Sequence, residues 1–204
     1  SRQFADDAIG VLASAGHTVR YFPEPTPTPI VAFWAKREQA AAAVVITASH
    51  NPPADNGYKV YDGNAAQIVP PVDTEIARAI DQAGPAAATP RIPGAMDGAT
   101  PRATPVDVDA VYAAYRDEVD AVRTRSSGAD LAIAYTPIHG VGWSVVERLF
   151  HDAGYKRIKV VEAQRDPDGA FPTVAFPNPE EPGAMDLVMD LGDRIDADLV
   201  VAND

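Results

Sequence analysis

The sequence predicts an α/β protein made of two truncated α/β domains with mixed, mainly parallel sheets. Short valine- and isoleucine-rich runs alternate along the chain with amphipathic or alanine-rich ones, the rhythm of βαβ construction. Apolar runs at 44–46, 131–135 and 199–202 end abruptly in polar or turn-forming residues, as strands do when they open onto loops. Between them AGPAAATPRIPGAMDGATPRATP, residues 83–105, has the composition of a linker and divides two such patterns.

Each element has its own local reason. Phe4, Ala8, Ile9 and Leu12 recur at helical spacing, and Gly16 supplies the stop. Residues 17–22 read as a short strand, followed by the proline-punctuated loop EPTPTP, in which Glu24 and Thr26 shape the turn rather than react. The apolar, alanine-rich run 30–43 is expected to be helical, with a strand at 44–47. Val72, Ile76, Ala79 and Ile80 share one face of a helix over 73–83. Beyond the linker, helices are expected at 106–122, 141–153 and 182–195, and strands at 131–135, 158–161 and 198–202. In NPEEP, Asn178, Glu180 and Glu181 read as the capping start of the last helix.

Composition narrows the function classes. With 204 residues the chain can bury a real core, in two small domains or one large one. Its net charge of −12 argues against a nucleic-acid backbone as partner, since such binders need a basic stripe. A small anionic substrate remains compatible, because a local cluster of donors can outweigh the global field. No apolar run approaches the ~20 residues that span a bilayer, and no signal-peptide pattern is seen. The absence of cysteine rules out disulfides and thiolate metal sites, so the cytoplasm is the expected compartment. The chain opens without methionine and inside a helical pattern, which leads us to expect a piece of a longer protein.

In parallel α/β sheets ligand sites gather beyond the carboxyl ends of strands, and TASHNP, TPIHG and the final Asn203-Asp204 all have that placement. Ser49 could simply cap a turn through its hydroxyl. As a nucleophile or phosphoryl carrier it would need a proton acceptor or a metal, and donors for developing negative charge. His50 is adjacent, Lys59 follows across a turn rich in Asn, Pro and Gly, and Asp204 ends another strand. G-x-S-x-G is absent, which disfavours an α/β-hydrolase elbow. Lys59 sits among Tyr58, Val60 and Tyr61; it is either the solvent-facing residue of a strand or a partly desolvated ammonium suited to phosphate or to proton transfer. His139 in TPIHG could face a phosphate, but a role in satisfying loop carbonyls is the favoured reading.

TASHNPPADNGYKVY resembles the phosphoserine loop of the α-D-phosphohexomutases, the phosphoglucomutase and phosphomannomutase superfamily. Ser1-Arg2 with Phe4, PTPTP, TASHNP, NGYKVY, YTPIHGVG, FPNPEEPGA and ADLVVAND occur in that family's order, so the resemblance covers essentially the whole chain. TPIHGVG with FPTVAFPNPEEPGA is most similar to the branch of bacterial phosphoglucomutase/phosphomannomutase and eukaryotic phosphoglucomutase/phosphopentomutase enzymes. The resemblance implies a phosphohexomutase-type fold, with domain I over 1–95 and domain II over 96–204. It implies that Ser49 carries a phosphoryl group, that His50 contacts the phosphate region and that Lys59 transfers protons. Asp204 would be the first of three carboxylate ligands of Mg²⁺, and an oxygen of phosphorylated Ser49 would complete the protein's share of the shell.

The implied activity is that of an isomerase interconverting the 1- and 6-phosphates of glucose or mannose. The reaction would run through a phosphoserine and a bisphosphorylated sugar, making sugar phosphates and sugar bisphosphates the partners, with neither nucleic acid nor membrane. A phosphopentomutase is the alternative, and a non-catalytic α/β binding module the second alternative. The family has four domains around a cleft. Its early arginine motif, the rest of its D-x-D-x-D-R metal run, its sugar-recognition loop and its phosphate-binding fourth domain have no counterpart in this sequence. The chain alone is therefore expected to lack appreciable mutase activity.

Overall fold

The computed structural model describes residues 2–47, 49, 51, 54–124 and 130–203. It divides into two compact units, one of residues 1–47 and 57–111, the other of 48–56 and 112–204. Both are α/β, and parallel strand pairs outnumber the antiparallel one, as the sequence predicts.

The first unit opens with α1 (Arg2–Ser14), which buries Ile9, Gly10 and Ala13. A Cβ on Gly10 would run into the carbonyl of Ile92, whose own amide donates to Gly10 O at 3.2 Å. Gly16 adopts φ +95° just past the helix, and His17 N donates back to Leu12 O at 3.0 Å, a left-handed stop that suits glycine. β1 (Val19–Tyr21) follows, then α2 (Thr28–Arg37), which has Pro29 in its first turn and Lys36 and Arg37 in its last. β2 (Ala42–Ile46) pairs antiparallel with β3 (Tyr58–Asp62), and α3 (Val72–Gln82) closes the hairpin region.

Two sequence expectations change here. The run 30–43 is not one helix: α2 ends at Arg37, Gln39 turns left-handed at φ 54°, and the alanines that follow enter β2. Alanine is the best helix former, but propensity is a weak force beside tertiary pairing, and the ladder with β3 overrides it. The linker-like stretch is also packed structure. Asp6 accepts hydrogen bonds from the amides of Gly94 and Met96 at 2.9 and 2.8 Å, Tyr21 Oη donates to Met96 O, and Ala95 is fully buried beneath Ile9 and Ala103. The stretch ends in β4 (Ala103–Pro105), parallel to β1, so residues beyond 95 still belong to the first unit.

α4 (Val108–Val122) begins in the first unit and enters the second at Tyr112; the second unit's three-stranded parallel sheet has the order β6 (Arg157–Val160), β5 (Ala132–Thr136), β7 (Leu199–Ala202). β5 lies in the middle and all five of its residues are buried, which is why it reads as an apolar run as far as Tyr135. α5 (Trp143–Asp152) connects β5 to β6, and α6 (Asp186–Ile195) leads into β7. Val188, Leu187, Leu191 and Ile195 of α6 pack on Ala134 and Val200. Gly192 permits this approach, since a Cβ there would lie 2.9 Å from Val200 Cγ2. The Asp198 carboxylate accepts from Ala132 N at 2.8 Å and pins the entrance of β5.

NPEEP does not cap α6. Asn178 Oδ1 accepts from Glu180 N at 2.9 Å in a side-chain turn, Gly183 takes φ +85°, and the helix starts only at Asp186. No described helix is long and apolar enough to cross a membrane.

Candidate active site

The serine loop connects two antiparallel strands, not a strand and a helix. β2 and β3 run in register from Ala42 opposite Asp62 to Ile46 opposite Tyr58. Thr47 N donates to Gly57 O at 3.0 Å and closes the ladder at the base of the loop. Ser49 is exposed on this loop with φ 54°. For a residue with a Cβ, left-handed backbone costs about 1 kcal/mol or more, and such strain concentrates where a side chain must be presented in one direction. His50 lies outside the described residues, and so does Asp204.

Lys59 is the second residue of β3, opposite Val45 and half-buried. Its side chain makes no ion pair with a carboxylate among the described residues. The strand therefore leaves Lys59 half-buried, on the same face as the buried Tyr61 two places on and on the opposite face from Tyr58. Such a lysine can hold an anion, or accept a proton when neutral.

The other two strand-end segments meet within the second unit. β5 and β7 are parallel neighbours, pairing Tyr135 with Val201 and Thr136 with Ala202, so their carboxyl ends emerge side by side. Asn203 N donates to Thr136 O at 3.1 Å, one residue beyond β7. The Tyr135 hydroxyl donates to the side-chain carbonyl oxygen of Asn203 in a short hydrogen bond. Burial pushes the Tyr135 phenol well above its ordinary range, so it stays a donor at any working pH. Gly142 makes room for this pair: a Cβ there would lie 2.9 Å from Tyr135 Oη and closer still to the Asn203 amide.

Behind that junction a buried polar network holds the TPIHG turn. Thr136 Oγ1 donates to Gln164 Oε1 at 2.6 Å and accepts from Ile138 N at 3.0 Å. Gln164 is fully buried, and its Nε2 donates to Thr173 Oγ1 at 2.9 Å. His139 N donates to Gln164 O at 2.9 Å, while its ring Nε2 lies 2.8 Å from the same Thr173 hydroxyl. Ile138 and His139 both have positive φ, 45° and 59°, an uncommon state for a β-branched residue, and one that persists here under these bonds. His139 is 4% exposed, and this geometry favours the loop-holding role over a phosphate-facing one.

Sequence reading did not single out Tyr135, Gln164, Thr173 or Gly142. The one available signal is a tyrosine ending an otherwise aliphatic strand, where a buried hydroxyl requires a partner. Gln164 and Thr173 occur in no recognisable pattern.

Among the described residues no three acidic or histidine side chains gather as a metal-binding set. The donor chemistry nonetheless fits one kind of ion. A serine oxygen and the carboxylate that follows Asn203 are hard oxygen donors, and the chain has no thiolate. The Asn203 side chain is engaged by Tyr135, which leaves Asp204 as the candidate ligand at this strand end.

The chain matches the phosphoglucomutase/phosphomannomutase α/β/α domain I over residues 1–86 and domain II over residues 109–204. It belongs to that family. It is 39% identical to a Haemophilus influenzae protein named "Probable phosphomannomutase", over 98% of this chain and 40% of that protein. It is 36% identical to a human protein named phosphopentomutase, over 100% of this chain and 34% of that one. The chain thus spans well under half the length of these relatives. A solved structure from Thermus thermophilus shares the fold with a TM-score of 0.78 at 24% identity, covering 98% of this chain and 43% of that one.

Proposed function

We propose that this chain supplies the phosphoryl-carrying loop and the opening of the metal-binding turn of a phosphosugar mutase, an isomerase of the phosphotransferase type acting in the cytoplasm. One observation carries the reading: in a chain that belongs to the family over both matched domains, the serine of TASHNP is exposed, with left-handed backbone, in the loop that joins the paired strands β2 and β3.

Phosphorylated Ser49 gives up its phosphoryl group to a hydroxyl of a sugar monophosphate. The bond from Ser49 Oγ to phosphorus breaks as the sugar oxygen forms its own; the hydroxyl proton passes to Lys59 in its neutral form, and the leaving Ser49 oxygen takes up a proton from solvent, which it gives back when it is phosphorylated again. The resulting sugar bisphosphate turns over and returns its other phosphoryl group to Ser49, reversing the proton transfer. His50, next to the carrier, contacts the phosphate region. Ser49 and Asp204 hold a divalent cation, Mg²⁺ by the hardness of its ligands, which supplies positive charge against the transferring group. Ser49 is exposed, within reach of a sugar phosphate, and alignment of donor and acceptor supplies much of the rate.

The substrates in this reading are the 1- and 6-phosphates of glucose or mannose. A phosphopentomutase stands beside it, because a relative of that name is nearly as similar as the phosphomannomutase-named one. The chain alone, without the parts of the relatives it does not span, converts no sugar phosphate at an appreciable rate.

Incubation of the protein from its native source with glucose 1,6-bisphosphate, followed by intact-mass measurement and phosphosite mapping, tests the carrier. One phosphoryl group on Ser49, lost in Ser49→Ala, is the expected result. Phosphate elsewhere, or none on the protein from its native source, leaves a non-catalytic binding module as the better description. A panel of hexose and pentose phosphates on the protein from that source then separates the two substrate classes.

A further inference from the structure

We infer that residues 167–174 of the second unit form a strap that opens as one piece and is latched by His139, whose neutral ring holds it with Nε2 as the acceptor. The inference does not depend on the phosphoserine reading, and it gives His139 a task of its own.

No residue of the strap is buried: Phe171 and Val174 are half-buried and the others exposed. Its own turns hold its shape. Phe171 N donates to Asp168 O at 3.1 Å, Val174 N to Phe171 O at 3.2 Å and Ala170 N to the Asp168 carboxylate at 2.9 Å. Among the described residues, the hydrogen bonds from 167–174 to the rest of the unit all end on His139 or Gln164. Asp168 N donates to His139 O at 3.0 Å. The His139 ring meets the Thr173 hydroxyl and stands edge-on to Phe171, with 6.4 Å between ring centroids. A segment with no buried side chain, tied through so few groups, opens well before the unit unfolds. It does so at the carboxyl end of β5, where ligands of parallel sheets bind.

The direction of the buried network decides the state of the latch. Thr136 Oγ1 accepts from Ile138 N, so its own hydrogen goes to Gln164 Oε1. That turns the Gln164 amide nitrogen toward Thr173, whose hydroxyl accepts from it and has one hydrogen left to give. His139 Nε2, 2.8 Å away, is the acceptor. Nε2 therefore carries a lone pair, and the ring hydrogen sits on Nδ1. Thr136 and Gln164 are both 0% exposed and cannot redirect these bonds to water.

The test is amide exchange on the whole chain, followed by NMR, with the His139 ring nitrogens assigned from long-range proton–nitrogen correlations. The Asp168, Phe171 and Val174 amides should share one protection factor, about tenfold or more below that of Ala134 and Tyr135 in β5. Thr173→Val removes the clasping hydroxyl and should lower strap protection about tenfold more, while β5 keeps its own. Thr173→Ser keeps the hydroxyl and should keep the protection. Nε2 should resonate as an unprotonated nitrogen. Strap amides that are unprotected in the unsubstituted chain, or as protected as β5, overturn the strap. Strap protection that ignores Thr173→Val, or a loss shared equally by β5, overturns the latch. A hydrogen found on Nε2 at neutral pH overturns the assigned direction of the network.

Discussion

The two units share a helix-strand rhythm yet build their sheets differently. In the second unit β5 takes the central place and gains a parallel neighbour on each side, and every one of its residues is buried. In the first unit the described strands fall into two separate pairs, β1 with β4 and β2 with β3, and only Ala103 and Tyr61 among their residues are buried. A strand paired on both edges and covered on both faces can be apolar throughout, whereas a strand with one partner keeps half its surface wet. The chemistry follows the strands: β2 and β3 lie in the first unit, although the loop 48–56 that they carry groups with the second. The serine is presented by a hairpin loop that carries local strain, while the strand end leading to Asp204 is set by a buried, fully hydrogen-bonded anchor.

The largest effect should come from truncating the central strand. Ile133 is 1% exposed in β5, flanked by Ile158 and Leu199, so Ile133→Ala should cost about 2–5 kcal/mol. Val45 in β2 is only half-buried, and Val45→Ala should cost about 1 kcal/mol. Hydrogen exchange resolved by residue would assign each loss to its own unit. Equal losses, or an Ile133→Ala effect spread evenly over both units, would show that the sheets do not differ in the way their burial indicates.

Much of this contrast was legible in the sequence. The all-apolar run of β5, the strand-end placement of TPIHG and Asn203, and the helices α1, α3, α4 and α5 follow from periodicity and turn residues. What escaped were features made by partners distant in sequence. Ala42 and Ala43 become strand because Asp62 and Tyr61 stand opposite them, and no local preference announces that. The proline- and glycine-rich stretch looks like a linker because its anchor, Asp6, lies 88 residues away from Gly94 in sequence. Gln164 is invisible for the same reason: a glutamine among polar neighbours shows its value only once Thr136 and Thr173 close around it.

That anchor gives the second comparison. Asp6 takes two amide donors from the turn before β4, so Asp6→Ala leaves both amides without their acceptor and should cost about 1–3 kcal/mol. The loss belongs to the first unit, and amide exchange should accelerate at Gly94 and Met96 and in β4 while β5 and β7 keep their protection. An unchanged exchange rate at Gly94 would mean that the linker composition describes this stretch better than its contacts do.

The smallest effect concerns pH and sits on the outside of the second unit. Tyr112 of α4 donates to Asp152 of α5 at 2.9 Å, with the Arg148 guanidinium 3.6 Å above the Tyr112 ring. Burial and this bond to a carboxylate push the phenol up to about 12, so it stays a donor throughout the neutral range. The same bond leads the causes that hold the Asp152 carboxyl below its ordinary value; burial opposes it, and His151 and Arg116 assist. A carboxyl depressed in the folded state stabilises the fold above the unfolded-state value, and that contribution is lost as pH falls through the lower, folded-state one. In acid, then, the α4–α5 contact should loosen as Asp152 takes its proton. Tyr112→Phe should move the Asp152 titration upward, as followed by carboxyl chemical shifts, and flatten the acid limb of the unit's stability. A titration that does not move would transfer the effect to His151 and Arg116, whose charges face the same carboxylate.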